Sequence, residues 1–225
     1  MLAAREGSPS EAAAALEQLC RSYWYPLYAY LRRDGKGPHD AQDLTQGFLA
    51  RVIEKHDLDA AIPEKGRFRS FLLGTLKHYL ADHRKRDFAQ KRGGGRVPVS
   101  IDAELAESRY RIEPVDETTP ETHFERQWAQ VVLERVMERL RKRHVERGRE
   151  DLFTALLPCL GGAGRPPSYA EISTRMDLTE GAVKVAVHRL RQEFGHLLRH
   201  EIAQTVSDES EIDEEIRRLI RITSP

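Results

Sequence analysis

The chain has 225 residues, enough for one or two domains with real cores. Charged residues make up 32% and aromatics 7%, which suits a helical, surface-rich protein better than a large single-core enzyme. The formal net charge is zero, which speaks against a chain-wide nucleic-acid binder, but the charges are segregated. Between Arg67 and Arg92 eight Lys/Arg face only Asp82 and Asp87, and between Glu201 and Ile216 there are seven acidic residues and no Lys or Arg. Local fields attract phosphate, so the local balance outweighs the total.

Cys20 and Cys159 stand alone, without metal-ligand spacing, and read as small buried hydrophobes in a reducing compartment. No signal peptide and no apolar run of membrane-spanning length is visible, so a cytoplasmic protein without a membrane partner is expected.

Taken in order, the first helix is predicted from Ser10, with Leu16, Leu19, Cys20, Tyr23, Leu27 and Leu31 on its apolar side and Gly35 as its end. Pro26 lies inside that pattern and predicts a kink or a break. Tyr23, Trp24, Tyr25, Tyr28 and Tyr30 read as core residues, with a stacking platform for bases as the alternative. Pro38 opens the second helix, where its missing N–H costs nothing. Ala41, Leu44, Phe48 and Val52 share one face; Asp40, Asp43, Gln46 and Glu54 do not, and by pattern alone they are solvated surface.

His56 to Gly66 reads as a loop. The long helix that follows has a buried stripe of Phe68, Phe71, Leu72, Thr75, Leu76, Tyr79, Leu80 and His83, with Arg69, Lys77, His78, Arg84, Lys85 and Arg86 outside it. Cations interleaved with aromatics suit nucleic acid, because the charges neutralise phosphates and the rings stack on bases. A membrane-surface helix is the other physical option, but its bulky apolar residues are already taken by the core stripe. Gly93-Gly94-Gly95 ends this helix, and a Pro-containing linker follows with a short helix near Ala103 to Tyr110.

Thr119 and Pro120 form an N-cap and N1 pair ahead of Phe124, Trp128, Val131, Val132, Val136 and Leu140. A short helix at Asp151 to Leu157 and a Gly/Pro-rich loop at Pro158 to Pro167 lead to two further helices. Ser168 with Glu171 makes a capping box, Tyr169, Ile172 and Met176 recur at helical spacing, and Met176-Asp177-Leu178 turns the corner. Thr179 caps the second of these helices, with a stripe of Val183, Val187, Leu190 and Phe194. Lys184, His188, Arg189 and Arg191 lie off the stripe. This is the pattern of a helix-turn-helix, whose second helix enters the DNA major groove. A last amphipathic helix carries Ile212, Ile216, Leu219 and Ile220, with Ser210 as its cap.

D-A-Q-D-L-T-Q-G-F-L from Asp40, the segment F-R-S-F-L-L-G-T-L-K-H-Y-L-A-D-H-R-K-R after it, and the helix-turn-helix together resemble the extracytoplasmic-function sigma factors of bacterial RNA polymerase, in the sigma-70 family. The resemblance covers most of Leu16 to Arg199. It implies an all-α fold with a sigma region 2-like domain at 10–92, a linker at 93–119 and a region 4-like helix-turn-helix domain at 120–200, with an acidic extension at 201–225. It implies docking on core polymerase through Asp40, Asp43, Leu44 and Gln46. Promoter contacts are implied at Arg67, Phe68, Arg69, Lys77, His78, Asp82, Arg84, Lys85 and Arg86 for the minus-ten element. Thr179, Glu180, Lys184, Val185, His188 and Arg189 would read the minus-thirty-five element. The partners implied are core polymerase and promoter DNA, an anti-sigma factor being left open. The chain departs from the family at Val185-Ala186, where a polar Ser-Arg pair is frequent; the change weakens polar base readout and favours contact with a thymine methyl.

Two rivals remain at this level. A free-standing helix-turn-helix regulator with an N-terminal effector or dimerisation bundle explains the second half but not the acidic helix followed by the basic one. An enzyme finds little support: there is no nucleophile elbow, P-loop or dinucleotide fingerprint. His196 and His200 with Glu201 lack a third ligand at useful spacing. No cofactor and no metal are expected.

Overall fold

The computed structural model of the chain describes residues 9–54, 68–89, 103–113, 118–161, 165–206 and 208–224. In chain order the helices are α1 (Pro9–Arg33), α2 (Pro38–Glu54), α3 (Phe68–Ala89), α4 (Ala103–Ile112), α5 (Pro120–Glu146), α6 (Glu150–Leu156), α7 (Tyr169–Met176), α8 (Glu180–Ala203) and α9 (Ile212–Thr223). Two short 3-10 turns, Leu157–Leu160 and Glu209–Glu211, precede α7 and α9. The fold is all-α, with no strand among the described residues. The loops predicted at 56–66 and 93–95 lie outside those residues. Two compact units emerge: one runs to Val131 and resumes at Ile202, and the other spans Val132 to Glu201.

The first unit is built around the aromatic end of α1. Tyr23, Trp24, Leu27, Tyr28 and Leu31 are buried there with Phe48 and Val52 of α2, Leu72 and Leu76 of α3, and Phe124 and Trp128 of α5. Trp24 stacks on Tyr28 at 5.3 Å between ring centroids, and Tyr23 meets Phe68 edge-on at 5.4 Å. The tyrosine-rich run is therefore core, as its spacing suggests. Helix α1 runs unbroken through Pro26. A proline inside a helix costs roughly 3 kcal/mol; the buried aromatics on both sides of it offset that loss. The helix ends at Gly35, whose φ of +84° is one that side chains avoid. There Lys36 N–H donates to the Leu31 carbonyl at 3.0 Å and Gly35 N–H to that of Arg32 at 3.1 Å, the two bonds of a Schellman cap.

Neither the linker nor the acidic extension stands apart in its described portion: α4 and α9 both belong to the first unit. Two carboxylates bind α4 to α1. Glu107 accepts from Tyr28 Oη at 2.5 Å and from Arg32 Nε at 2.9 Å. Glu113, just past α4, accepts from Tyr25 Oη and lies 2.9 Å from His123 Nε2 of α5. Helix α9 buries Ile212, Glu215 and Leu219, while Ile216 is half-buried and Ile220 is 53% exposed. Ile212 and Leu219 are buried as their spacing predicts, but Glu215, paired with buried Arg69, takes the place of Ile216, and Ile220 faces outward. Ser210 is not the cap: Asp208 accepts the Ser210 N–H at 2.7 Å and opens the 3-10 turn that runs into α9.

In the second unit the buried apolar residues include Val132, Val136 and Leu140 of α5, Phe153 and Leu156 of α6, Cys159, Ile172 of α7, and Val183, Val187, Leu190, Leu197 and Leu198 of α8, whereas Phe194, on the predicted stripe, is half-buried. Two glutamates of α8 tie it to α5. Glu201 lies 3.1 Å from Arg135 and 2.9 Å from Arg139, and Glu193 lies 3.2 Å from Arg147 and 3.4 Å from Arg143. The Gly/Pro-rich loop begins later than its composition suggests, since Leu157 to Leu160 is a 3-10 turn. Pro158 fits there because the first turn needs no N–H from it.

Candidate nucleic-acid interface

The helix-turn-helix is held by local chemistry that its sequence announces. Ser168 Oγ accepts the Glu171 N–H at 3.2 Å, and Ser168 N–H donates to Glu171 Oε2 at 2.6 Å, completing the capping box. These bonds hold the Glu171 carboxyl below its ordinary range. Asp177 turns the corner at φ +52°, a left-handed conformation that a short polar side chain tolerates. Leu178 N–H then closes back on the Ser173 carbonyl at 3.1 Å. Thr179 Oγ1 accepts the Ala182 N–H at 3.2 Å and starts α8.

Two arginines brace this motif and are thereby committed. Arg175 donates to the Ala155 carbonyl at 3.2 Å, and Arg191 donates to that of Cys159 at 2.8 Å. The outward surface of α8 consists instead of Glu180, Lys184, Val185, His188 and Arg189, all exposed, with Thr179 exposed at its start. Lys184, His188 and Arg189 make no ion pair among the described residues. The charges of Lys184 and Arg189 have no counter-ion among the described residues, which leaves them, with the His188 ring, available to phosphates or base edges.

The first unit offers less of its predicted surface. Phe68 and Arg69, both expected at DNA, are 2% and 1% exposed. Phe68 packs between the rings of Tyr23 and Phe71. Arg69 was placed on the outer face by residue type; the structure turns it inward, its guanidinium 4.4 Å above the Trp128 ring and ion-paired with Glu215. Lys77 is half-exposed but hydrogen-bonds Glu121 at 2.7 Å, and this bond raises the lysine and lowers the glutamate from their ordinary ranges. Arg84 lies 3.7 Å from Asp34. His78 is exposed and Asp82 half-buried. Arg67 and the side chains of Lys85 and Arg86 lie outside the described residues.

On α2, Asp40 and Asp43 are exposed, and Leu44 and Gln46 half-buried beside them. Thr45 is turned inside, its hydroxyl donating to the Ala41 carbonyl at 2.7 Å. Asp40 and Asp43 are thus accessible on α2, while Leu44 lies at the edge of the face that Phe48 and Val52 bury in the core.

Residue type gave no warning of the buried polar groups Arg69, Glu215 and His123; helical register does for the first two, since Arg69 falls three residues before Leu72 and Glu215 three after Ile212. Among the described residues no group of three His, Cys, Asp or Glu side chains could hold a metal ion, and no helix is long and apolar enough to cross a membrane. Comparison with protein-family models, with curated proteins and with solved structures finds no match.

Proposed function

We propose that the chain is a sigma factor of bacterial RNA polymerase, which carries the core enzyme to promoters and reads their minus-ten and minus-thirty-five elements. The observation that carries this reading is the division of α8: Val183, Val187 and Leu190 are buried, while Lys184, Val185, His188 and Arg189 remain exposed on the second helix of a capped helix-turn-helix. The exposed carboxylates of Asp40 and Asp43 on α2 supply a separate anionic surface, suited to a cationic protein partner and unsuited to DNA.

The work is binding, with no catalytic step. Helix α8 holds the upstream element in the major groove, and α2 docks on polymerase. Capture of an unpaired base near α3 costs a few kcal/mol of unstacking, offset by contacts to the base. With Phe68 and Arg69 inside the core, His78, Asp82 and Arg84 are the described α3 residues left for that role, and Lys77 joins them if it leaves Glu121.

The test is a pull-down of purified bacterial core polymerase by the full-length protein, wild type beside Asp43→Arg. Both proteins are first matched by helical circular dichroism. Salt-resistant capture by the wild type, lost on charge reversal, is the expected result. No capture by the wild type overturns the sigma reading and leaves a free-standing helix-turn-helix regulator.

A further inference from the structure

Attraction to phosphate explains Lys184, His188 and Arg189, but not the residue they surround. Val185 is 49% exposed. His188 and Arg189 are its neighbours one turn on, at i+3 and i+4, and Lys184 flanks it in sequence. Ala182, at i−3, is exposed as well, so a small apolar island sits beside Lys184, His188 and Arg189. A valine there has no packing role in its own unit, because the buried stripe of α8 runs through Val183 and Val187 on the other side. It is also a poorer helix former than the long polar residues that usually occupy solvent-facing positions.

A helix seated in the major groove meets one kind of apolar group on the base edges, the 5-methyl of thymine. The two cations beside Val185, Lys184 and Arg189, fix what the island can face: they favour a polyanion, and an apolar protein surface would have to desolvate both of them. Building on the function proposed above, we infer that Val185 is a specificity-determining residue that packs against a thymine methyl, with Lys184 and Arg189 supplying the polar contacts on either side.

The experiment uses holoenzyme assembled from the full-length chain and bacterial core polymerase. Bound duplexes are selected from a random library, and each thymine of the upstream element is then replaced singly by deoxyuridine, which deletes one methyl. At one position the replacement should weaken wild-type binding about fourfold, the worth of one buried methyl group. Val185→Ala, an exposed change that keeps the helix, should bind the thymine duplex about as weakly as wild type binds the uracil one, and should not distinguish the two. Wild-type binding indifferent to every replacement overturns the inference, as does a Val185→Ala protein that keeps the discrimination. An assembled holoenzyme that enriches no duplex overturns the promoter-reading function itself, and this inference with it.

Discussion

Arg69, in the first turn of α3, is ion-paired with Glu215 of α9, and the two side chains are 1% and 3% exposed. Arg69 also lies over the ring of Trp128. Its second carboxylate neighbour, Glu125 of α5, is 3.8 Å away and is itself held by Arg218 of α9. The last helix is therefore held to α3 within the first unit by a charged pair that is almost completely buried. Desolvating two ions is costly, and their attraction only offsets it. The dependence is consequently asymmetric. Either Arg69→Met or Glu215→Leu alone takes the closest counter-charge from a buried ion and should cost roughly 3–5 kcal/mol, whereas the double variant removes both ions and should recover much of that loss. Urea unfolding followed by tryptophan fluorescence reads this unit selectively, because Trp24 and Trp128, the chain's two tryptophans, both belong to it. Single variants within about 1 kcal/mol of wild type would show that the pair is dispensable. So would a double variant as unstable as the worse single one.

The same pair marks where sequence reasoning succeeded and where it stopped. Helix identity was legible throughout, since caps such as Ser168 with Glu171, Thr119 with Pro120 and Gly35 are local chemistry and form as their sequence predicts. The division of α8 was legible too, because Val183, Val187 and Leu190 recur at helical spacing with cations between them. Arg69 was misplaced because residue type was weighted above register: Arg69, Leu72, Leu76 and Leu80 lie on one buried face. Its partner is 146 positions away, and no local pattern announces so distant a contact. The helix near Ala103 to Tyr110 forms as its sequence predicts, but its attachment to α1 was not legible, since the mixed polarity of α4 hides the fact that Glu107 has three specific donors.

Glu107 carries the next expectation. Burial pushes its carboxyl up, but the hydrogen bonds from Arg32, Tyr28 and Arg111 outweigh that and leave it below its ordinary value. Tyr28 responds in the opposite sense: burial and the bond to Glu107 raise its phenol. A carboxyl depressed in the folded state stabilises at pH values above its unfolded value and loses that contribution as pH falls through the folded one. Glu107→Gln should therefore cost about 1.5–3 kcal/mol at pH 7, the range for hydrogen bonds to a charged group. The gap between the two proteins should narrow as pH falls below the ordinary glutamate value of about 4.3 and close only once the wild-type carboxyl protonates in the folded state, below that value. Urea midpoints measured in parallel at pH 7 and at the acid end check this. A gap that stays constant with pH would show that the clamp of α4 on α1 owes nothing to the charge.

His144, in the last turn of α5, gives the second unit the opposite pH sign to a salt-bridged histidine. It is 8% exposed, its ring centroid lies 5.2 Å from that of Phe153, and its Nε2 lies 3.6 Å from Glu193. Burial lowers its pKa, Glu193 pulls the other way, and Arg147 and Arg149 reinforce the lowering, so the ring is held below its ordinary value. Arg143 and Arg147 also share the Glu193 carboxylate, which limits what that carboxylate can do for an imidazolium. With the folded pKa below the unfolded one, the unfolded chain takes up its proton first as pH falls. Stability of the second unit should therefore decline as pH drops through about 6.5, the ordinary histidine value, and level off only below the folded pKa. His144→Gln removes the titrating group and should flatten the profile between pH 7.5 and 5.5 relative to wild type. Thermal unfolding followed by helical circular dichroism makes the comparison, since the second unit contains no tryptophan. A variant whose midpoint falls as steeply as that of wild type would place the pH response on other groups, and a wild type that gains stability on acidification would reverse the sign assigned to His144.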